Sequence, residues 1–238
     1  MRGIFVTGTD TGCGKTEIAL ALMEARRRNG VAVLGMKPVA SGCEPTPEGL
    51  RNQDARKLQA QGSHRIPYQQ INPYAFEPLI APHIAADQAG VRIELEVIAA
   101  AAEHLAARSD FLVVEGVGGW RVPLGPSLFA SDLPLALELP VVLVSGFRLG
   151  CINHSLLTAE SIRLSGARLA GWVANQMEPD MPVRDENLAT LAALIDAPCL
   201  GLVPWMASPE PRQVAGHLDL RTCLRSLSQS DFDPEEKR

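Results

Sequence analysis

What this sequence lacks excludes several kinds of protein. The 238-residue chain has no apolar run approaching the roughly 18 residues of a membrane-spanning helix, and we expect no signal peptide before its first predicted strand. Its formal net charge of −5 gives no basic excess of the kind that nucleic-acid-binding proteins show. The basic run at 26–28 ends a predicted helix, where cations suit the helix dipole. We therefore expect neither a membrane nor a nucleic acid as partner.

Paired metal-binding or disulfide-forming residues are also missing. The five cysteines are scattered and odd in number: Cys13, Cys43, Cys151, Cys199 and Cys223. No two have C-x-x-C spacing, so neither a disulfide framework nor a zinc site is indicated. The five histidines show no paired ligand spacing either. Because reduced thiols are typical of cytosolic proteins, we expect a cytoplasmic location.

What is present is an alternation of short apolar runs with helix-like segments. Strands are predicted at 3–8, 31–38, 111–116, 141–146, 169–175 and 199–204, and helices at 15–29, 51–61, 92–108, 131–138, 152–165 and 184–195. This pattern predicts a doubly wound, mainly parallel α/β sheet with helices on both faces. We expect one domain over 1–227, with a long loop in the proline-rich part 66–82 and a disordered polar tail at 228–238.

The first predicted strand runs into a glycine-rich turn, "GTDTGCGKT", at 8–16. Gly12 and Gly14 allow backbone N–H groups to turn inward, Lys15 can reach phosphates, and the hydroxyl of Thr16 can bind Mg²⁺. Gly8 stands one residue further upstream than the usual G-x-x-x-x-G-K-[ST] spacing. The alternative is a plain strand-to-helix turn with an incidental lysine. The order of strand, loop, Lys-Thr and helix favours a P-loop NTPase with an altered first half.

Other polar residues follow predicted strands or begin predicted helices, and ligands collect at the carboxyl ends of such strands. Glu115 ends "FLVVEG" and suits a Walker-B-type acid facing Mg²⁺. Asp54 is either a second carboxylate or a helix-start residue on a solvated face. Lys37 either ends its strand in solvent or neutralises a phosphoryl-transfer transition state. Asn153 either caps a helix or marks N–H groups that hold a carboxylate.

Eight ordered motifs carry a resemblance to a known family. They are "FVTGTDTGCGKT", "KPVASG", "TPEGLRNQDA", "NPYAF…PHIAA", "VVEGVGGW", "LGCINHSLLTAE", "LAGWVAN" and "LGLVPW". Together they resemble the dethiobiotin synthetases, the ATP-dependent ligases that close the ureido ring in biotin synthesis. The resemblance runs from about residue 3 to about residue 225. The G-x-x-x-x-x-G-K-T spacing is this family's own, which accounts for the displaced glycine.

The resemblance implies an ATP- and Mg²⁺-dependent reaction of 7,8-diaminononanoate with CO₂. The expected products are dethiobiotin, ADP and phosphate, formed through a carbamate and a carbamic-phosphoric anhydride. It implies catalytic roles for Lys37, Lys15 and Thr11, and metal ligation by Thr16, Asp54 and Glu115. Substrate contacts would come from Ser41 and, across a homodimer, from Gly150, Cys151 and Asn153. Nucleotide contacts would come from Gly12, Cys13, Gly14, Lys15, Thr16, Glu17, Asp54, Glu115, Gly116, Val117, Gly118, Asn175, Gln176, Pro204, Trp205, Met206 and Glu210.

Two positions depart from the family's pattern. Gly12 stands where many members carry an acid, and Asn187 stands where a tyrosine commonly contacts the substrate carboxylate. Both departures bear on substrate affinity rather than on reaction type.

Two rival classes share the phosphate loop. A MinD- or ParA-like ATPase would carry a lysine where this loop has Asp10, and a small-metabolite kinase would leave phosphate on a stable product.

Overall fold

The apolar strands of the sequence form one parallel sheet. The computed structural model describes residues 1–219 and Thr222. The strands are β1 (Gly3–Gly8), β2 (Val33–Met36), β3 (Val39–Ala40), β4 (Glu44–Thr46), β5 (Gly49–Arg51), β6 (Tyr74–Ala75), β7 (Phe111–Glu115), β8 (Val141–Phe147), β9 (Leu169–Gln176) and β10 (Cys199–Val203). Six of these pair in parallel in the order β10-β9-β8-β1-β7-β2. The predicted α/β fold is confirmed.

Helices cover both faces of this sheet. They are α1 (Lys15–Arg28), α2 (Gln53–Gln61), α3 (Tyr68–Ile71), α4 (Pro82–Gln88), α5 (Leu95–Ala106), α6 (Asp132–Ala136), α7 (Cys151–Leu164), α8 (Arg184–Leu194) and α9 (Pro211–Ala215). Successive residues of a strand point to opposite faces. Phe5 of β1 therefore joins the core under α5, α7 and α8, whereas Ile4 and Val6 join the core under α1, α2 and α9.

The region predicted as a long loop, 66–82, is structured, so that prediction is wrong. It contains α3 and β6, and Pro82 begins α4. Two of its four prolines, Pro67 and Pro82, stand at helix starts, where a missing N–H costs nothing, and Pro73 and Pro78 lie between elements rather than in helix interiors. Tertiary hydrogen bonds then fix the segment: Asn72 donates to the Lys37 carbonyl at 2.7 Å, and the Tyr68 hydroxyl accepts from the Asn52 N–H at 2.7 Å. Such distant partners leave no periodic signal in the sequence.

The ends of the expected domain fall partly outside the described residues. The predicted tail at 228–238 lies there, as does the predicted boundary at residue 227. Within the described residues, two small sheets accompany the large one. Strand β3 pairs in parallel with β6, and β4 and β5 form an antiparallel hairpin. Because β3 starts two residues after Lys37, this small sheet positions the turn that carries Ser41.

The strand order determines where a ligand can bind. The chain leaves β1 for β2 on one side of the sheet, and β8 lies against β1 on the other side. In such sheets the crevice lies beyond the carboxyl ends of the strands, where the order reverses. The loops after β1, β2, β7, β8 and β9 therefore meet at one edge, and they carry most of the predicted site residues.

Candidate active site

The loop between β1 and α1 has the backbone of a phosphate cradle. Gly12 and Gly14 have φ values of +72° and +91°, and Gly14 occupies the N-cap of α1 without a side-chain cap. The free end of the helix is therefore available to an anion. Asn175, at the end of β9, donates to the Cys13 carbonyl at 3.0 Å and supports the loop from behind. The buried Lys15 side chain folds back over the loop, and its Nζ donates to the Asp10 carbonyl at 2.8 Å.

The glycine-rich segment after β7 lies against this loop. A Cβ added at Gly118 would lie 3.5 Å from the Thr11 hydroxyl, and one added at Gly119 would lie 3.5 Å from the Gly8 carbonyl. Gly118 also has a φ of +59°, a conformation that favours glycine. The Val117 side chain packs against the core. The segment 116–119 thus forms a second wall beside the phosphate loop.

A buried charged cluster lies at the carboxyl ends of β2 and β7. The Nζ of Lys37 contacts Glu115 Oε1, and it lies 3.3 Å from Asp54 Oδ2 and 3.2 Å from the Gly116 carbonyl. The Thr16 hydroxyl donates to the same Glu115 oxygen at 3.0 Å. The Lys37 and Glu115 side chains are 5% and 1% exposed, so this is not a strand end capped in solvent. Strands β2 and β7 are neighbours, which brings these residues together from distant parts of the sequence.

Burial and charge compete in this cluster. Burial raises the pKa of Glu115, although the Lys37 ammonium works against that shift. Burial would also lower the pKa of Lys37, but the attraction of Glu115 and Asp54 outweighs it and holds that pKa above its usual value. The two carboxylates thus favour the charged form of Lys37. A buried carboxylate without such a partner would be strongly unfavourable.

The cluster also fits a magnesium ion. Mg²⁺ is commonly held by one or two carboxylates together with phosphate oxygens and waters. Thr16, Asp54 and Glu115 offer such a donor set, and Glu115 Oε2 is buried without a hydrogen-bond partner among the described residues. The capping residue of α2 is Asn52, whose side chain accepts from the Ala55 N–H at 3.2 Å. Asp54 is thus not needed as a cap, and its side chain lies against Lys37 instead.

Ser41 lies in the turn after β3. Its hydroxyl is buried and has no hydrogen-bond partner among the described residues. The turn is held by backbone hydrogen bonds from Gly42 N–H to the Pro78 carbonyl at 3.1 Å and from Cys43 N–H to the Phe76 carbonyl at 2.9 Å. An orphaned hydroxyl in a fixed turn suits a residue that binds a polar ligand group.

The N-terminus of α7 carries the predicted substrate receptor. Gly150, with a φ of +93°, occupies the N-cap, which rules out the first of the two alternatives for Asn153, that it caps this helix. Asn153 is exposed within the first turn. The Cys151 N–H is already used in a turn hydrogen bond to the Arg148 carbonyl at 2.9 Å. Any carboxylate bound here must therefore use the remaining N–H groups of the first turn and the Asn153 side chain.

The residues predicted to contact the nucleotide do not all face the phosphate loop. Asn175 faces it, but the next residue of β9, Gln176, turns to the other side and donates to the Glu178 and Pro179 carbonyls. This follows from the alternation of side chains along a strand. Beyond β10, the segment Pro204, Trp205 and Met206 is partly exposed. Glu210 is the N-cap residue of α9. Glu17, in the first turn of α1, forms an ion pair with Lys57. Asn187 is half-buried on α8.

Sequence reasoning missed one residue beside the phosphate loop. Arg148, directly after β8, makes an ion pair with Asp10 at 3.0 Å. It lines a small cleft together with the loop and His154 of α7. The available signal was its position just after a strand end, where ligands collect in this fold.

Comparisons with known proteins identify the family. The family described as "AAA domain" matches residues 2–213. The chain is 55% identical over 222 residues, 93% of this chain and 97% of the relative, to the ATP-dependent dethiobiotin synthetase BioD of Pseudomonas aeruginosa strain UCBPP-PA14. A relative of the same name from Cellvibrio japonicus is 51% identical over 94% of this chain and 98% of its own. The chain belongs to the dethiobiotin synthetase family. It is accordingly an ATP-dependent ligase.

A solved structure supports the fold. The MinC:MinD cell division complex of Aquifex aeolicus has a chain with a TM-score of 0.58, 14% identity and 97% coverage of both chains. At that identity the likeness concerns the P-loop fold alone.

Among the described residues, no helix has the length and apolar character needed to cross a bilayer. Cys13, Cys43, Cys151 and Cys199 are free thiols.

The glycine pair of the phosphate loop yields a first prediction. Gly14→Ala would place a Cβ on the Asn175 amide, whereas Gly12→Ala meets no atom within 4 Å. Both positions have positive φ, so the backbone strain is matched and the clash differs. We expect Gly14→Ala to weaken ADP binding by at least about tenfold more than Gly12→Ala, since a displaced loop loses several charge-assisted hydrogen bonds. Isothermal titration calorimetry measures this difference. Equal losses in the two variants would show that Asn175 does not hold the loop.

Proposed function

We propose that this chain carboxylates 7,8-diaminononanoate with CO₂ and closes the ureido ring, consuming ATP. One amine adds to CO₂ and loses a proton, which gives a carbamate. A carbamate oxygen then attacks the γ-phosphorus and ADP leaves. The second amine attacks the carbamoyl carbon, phosphate leaves, and the ring closes as dethiobiotin.

One observation carries this proposal beyond the family name. Lys37, Thr16, Asp54 and Glu115 form a connected, largely buried cluster beside the mouth of the phosphate loop. The cluster supplies an ammonium, a hydroxyl and two carboxylates, which is the equipment for crowding several anionic oxygens around one phosphorus. A protein that only binds nucleotide would not need a second lysine buried opposite the loop.

Each side chain has a task that follows from its position. Lys15 and the loop N–H groups bind the β- and γ-phosphates, with Thr11 at the edge of the loop. Lys37 stabilises the charge that develops between the carbamate and the γ-phosphoryl group. The orphaned hydroxyl of Ser41 binds the polar end of the substrate. A magnesium ion held by Thr16, Asp54 and Glu115 would neutralise charge on the phosphate oxygens.

The proposal includes a homodimer with shared active sites. The outer side of α7 presents Leu157 and Leu164, which are 58% and 72% exposed, and Leu149 just before the helix is 99% exposed. Residues seven apart lie on the same side of a helix. This apolar surface adjoins the predicted carboxylate receptor at Gly150–Asn153, which supports an arrangement in which α7 of one subunit completes the site of its partner. The free thiols support a cytoplasmic location.

Mass spectrometry of the product tests the reaction class. The purified chain is incubated with 7,8-diaminononanoate, bicarbonate, ATP and Mg²⁺. We expect a cyclic urea together with ADP and inorganic phosphate in equal amounts. A phosphorylated product would instead identify a small-metabolite kinase, and ATP hydrolysis without any change in the diamine would identify a regulatory ATPase. Omission of bicarbonate is the matched control and should abolish the cyclic product.

The shared site is tested by mixing two inactive variants. Lys37→Gln removes the cation of one site, and Asn153→Asp places a negative charge where the substrate carboxylate would bind. In a mixed dimer, one site combines intact Lys37 with intact Asn153, while the other carries both lesions. Random exchange makes about half of the dimers mixed with one working site each, so about a quarter of wild-type activity should return.

Two controls make this result decisive. Each parent alone must be nearly inactive, and native mass spectrometry must show mixed dimers. An acidic residue in the first turn suits the helix dipole, so Asn153→Asp is expected to fold. Mixed dimers that remain at the parental activity would contradict the shared site.

A further inference from the structure

The Lys37 ammonium occupies a position that suits a metal cation. Its Nζ contacts Glu115 Oε1, lies 3.3 Å from Asp54 Oδ2, and lies 3.2 Å from the Gly116 carbonyl. Two of these three oxygens belong to the carboxylates proposed as metal ligands. Thr16, the third proposed ligand, donates to the same Glu115 oxygen at 3.0 Å. The ammonium therefore contacts one oxygen of each carboxylate that would ligate a divalent cation.

The Lys37 ammonium and a divalent ion would compete for the oxygens of Glu115 and Asp54. Glu115 Oε1 already accepts from both Lys37 and Thr16, and the side chains of Lys37 and Glu115 are almost completely buried. A divalent ion on that oxygen would lie within a few ångströms of the ammonium, in surroundings that screen charge poorly. Repulsion between the two cations would then either weaken metal binding or break the Lys37–Glu115 ion pair.

We propose that Lys37 acts as a stand-in cation that neutralises Glu115 and Asp54 until a divalent ion arrives, and that the ion then releases the ammonium toward the substrate. The inference rests on the proposed function, because it uses the same metal ligands. It assigns Lys37 two successive partners, the carboxylates first and the reacting oxygens second. The lysine that stabilises phosphoryl transfer becomes available only once the metal is in place.

The physical reason for such an exchange is the cost of an unpaired charge. Glu115 ends a central strand and would be buried without compensation if neither cation were present. A lysine suits the role, since its compact charge lies on a flexible four-carbon stem and can move between partners. Glu115 Oε2, which has no hydrogen-bond partner among the described residues, offers the metal a further oxygen once Lys37 has withdrawn from Oε1.

Metal titration without nucleotide or substrate tests the exchange. Mn²⁺ binding is measured by electron paramagnetic resonance for the wild type, Lys37→Met and Lys57→Met. The control has the same charge change, but Lys57 is exposed and pairs with Glu17 at 3.4 Å, away from the cluster. We expect Lys37→Met to bind Mn²⁺ at least about tenfold more tightly than the wild type, because removing one partner of a buried ion pair frees its carboxylate. Lys57→Met should stay within about twofold, as for an exposed pair. Equal or weaker binding by Lys37→Met would overturn the proposal.

A second measurement uses the wild type and does not depend on the folding of a variant. Crystals of the wild-type chain are soaked in Mn²⁺, and anomalous scattering locates the ion. We expect Mn²⁺ on Glu115 with the Lys37 Nζ withdrawn from hydrogen-bond distance of that carboxylate. An ion on Glu115 with Lys37 still in contact, or no ion on Glu115 at saturating Mn²⁺, would overturn the exchange.

These outcomes are separate from the test of the reaction. Neither the titration nor the crystal contains diamine or ATP, so both report on the carboxylates alone. Cyclic urea formed by a chain that fails the Mn²⁺ tests would refute the exchange and leave the proposed function intact. Tight metal binding by Lys37→Met without cyclic urea from the wild type would refute the function and retain the exchange.

Discussion

The buried carboxylate of Glu115 is the constraint on which the rest of the site depends. A charge at the end of a central strand is tolerated only when cations and hydrogen-bond donors surround it. Lys37 at the end of β2 and Thr16 in the first turn of α1 supply these partners, and the adjacency of β2, β7 and β1 brings them together. The same arrangement places an acid, a hydroxyl and an ammonium beside the phosphate loop. Under the proposed function, the residues that compensate this buried charge are also those that act in phosphoryl transfer.

The fold was predictable because its signals are local. The continuous apolar runs of β1, β7 and β8 indicated a sheet buried on both faces, and the loop with Lys15 and Thr16 indicated the edge at which phosphate binding is expected. The carboxyl ends of the strands were the right place to expect Lys37 and Glu115. The contacts that join those two residues were not predictable, since they depend on which strands are neighbours.

Where sequence reasoning failed, a long-range contact outweighed a local pattern. The segment 66–82 has a proline-rich composition typical of loops, but Asn72 ties it to the backbone of Lys37 and produces α3 and β6. Asn153 resembled a helix cap, yet Gly150 adopts the left-handed conformation and α7 begins one residue earlier than predicted. The family assignment is confirmed by the relatives, whereas the roles of Ser41, Asn175 and the α7 receptor stay predictions. The MinD-type neighbour shows that this fold also serves proteins of other names, so the chemistry must be argued from the site.

The central claim is that the γ-phosphoryl group is transferred to a carbamate held beside Lys37. Single-turnover reactions started with freshly mixed ¹⁸O-labelled bicarbonate test it directly, with mass spectrometry of the released phosphate. Attack by a carbamate oxygen, followed by ring closure at the carbamoyl carbon, leaves that oxygen in the phosphate. The account predicts labelled phosphate formed in step with the cyclic urea. Unlabelled phosphate accompanying the same urea would contradict it.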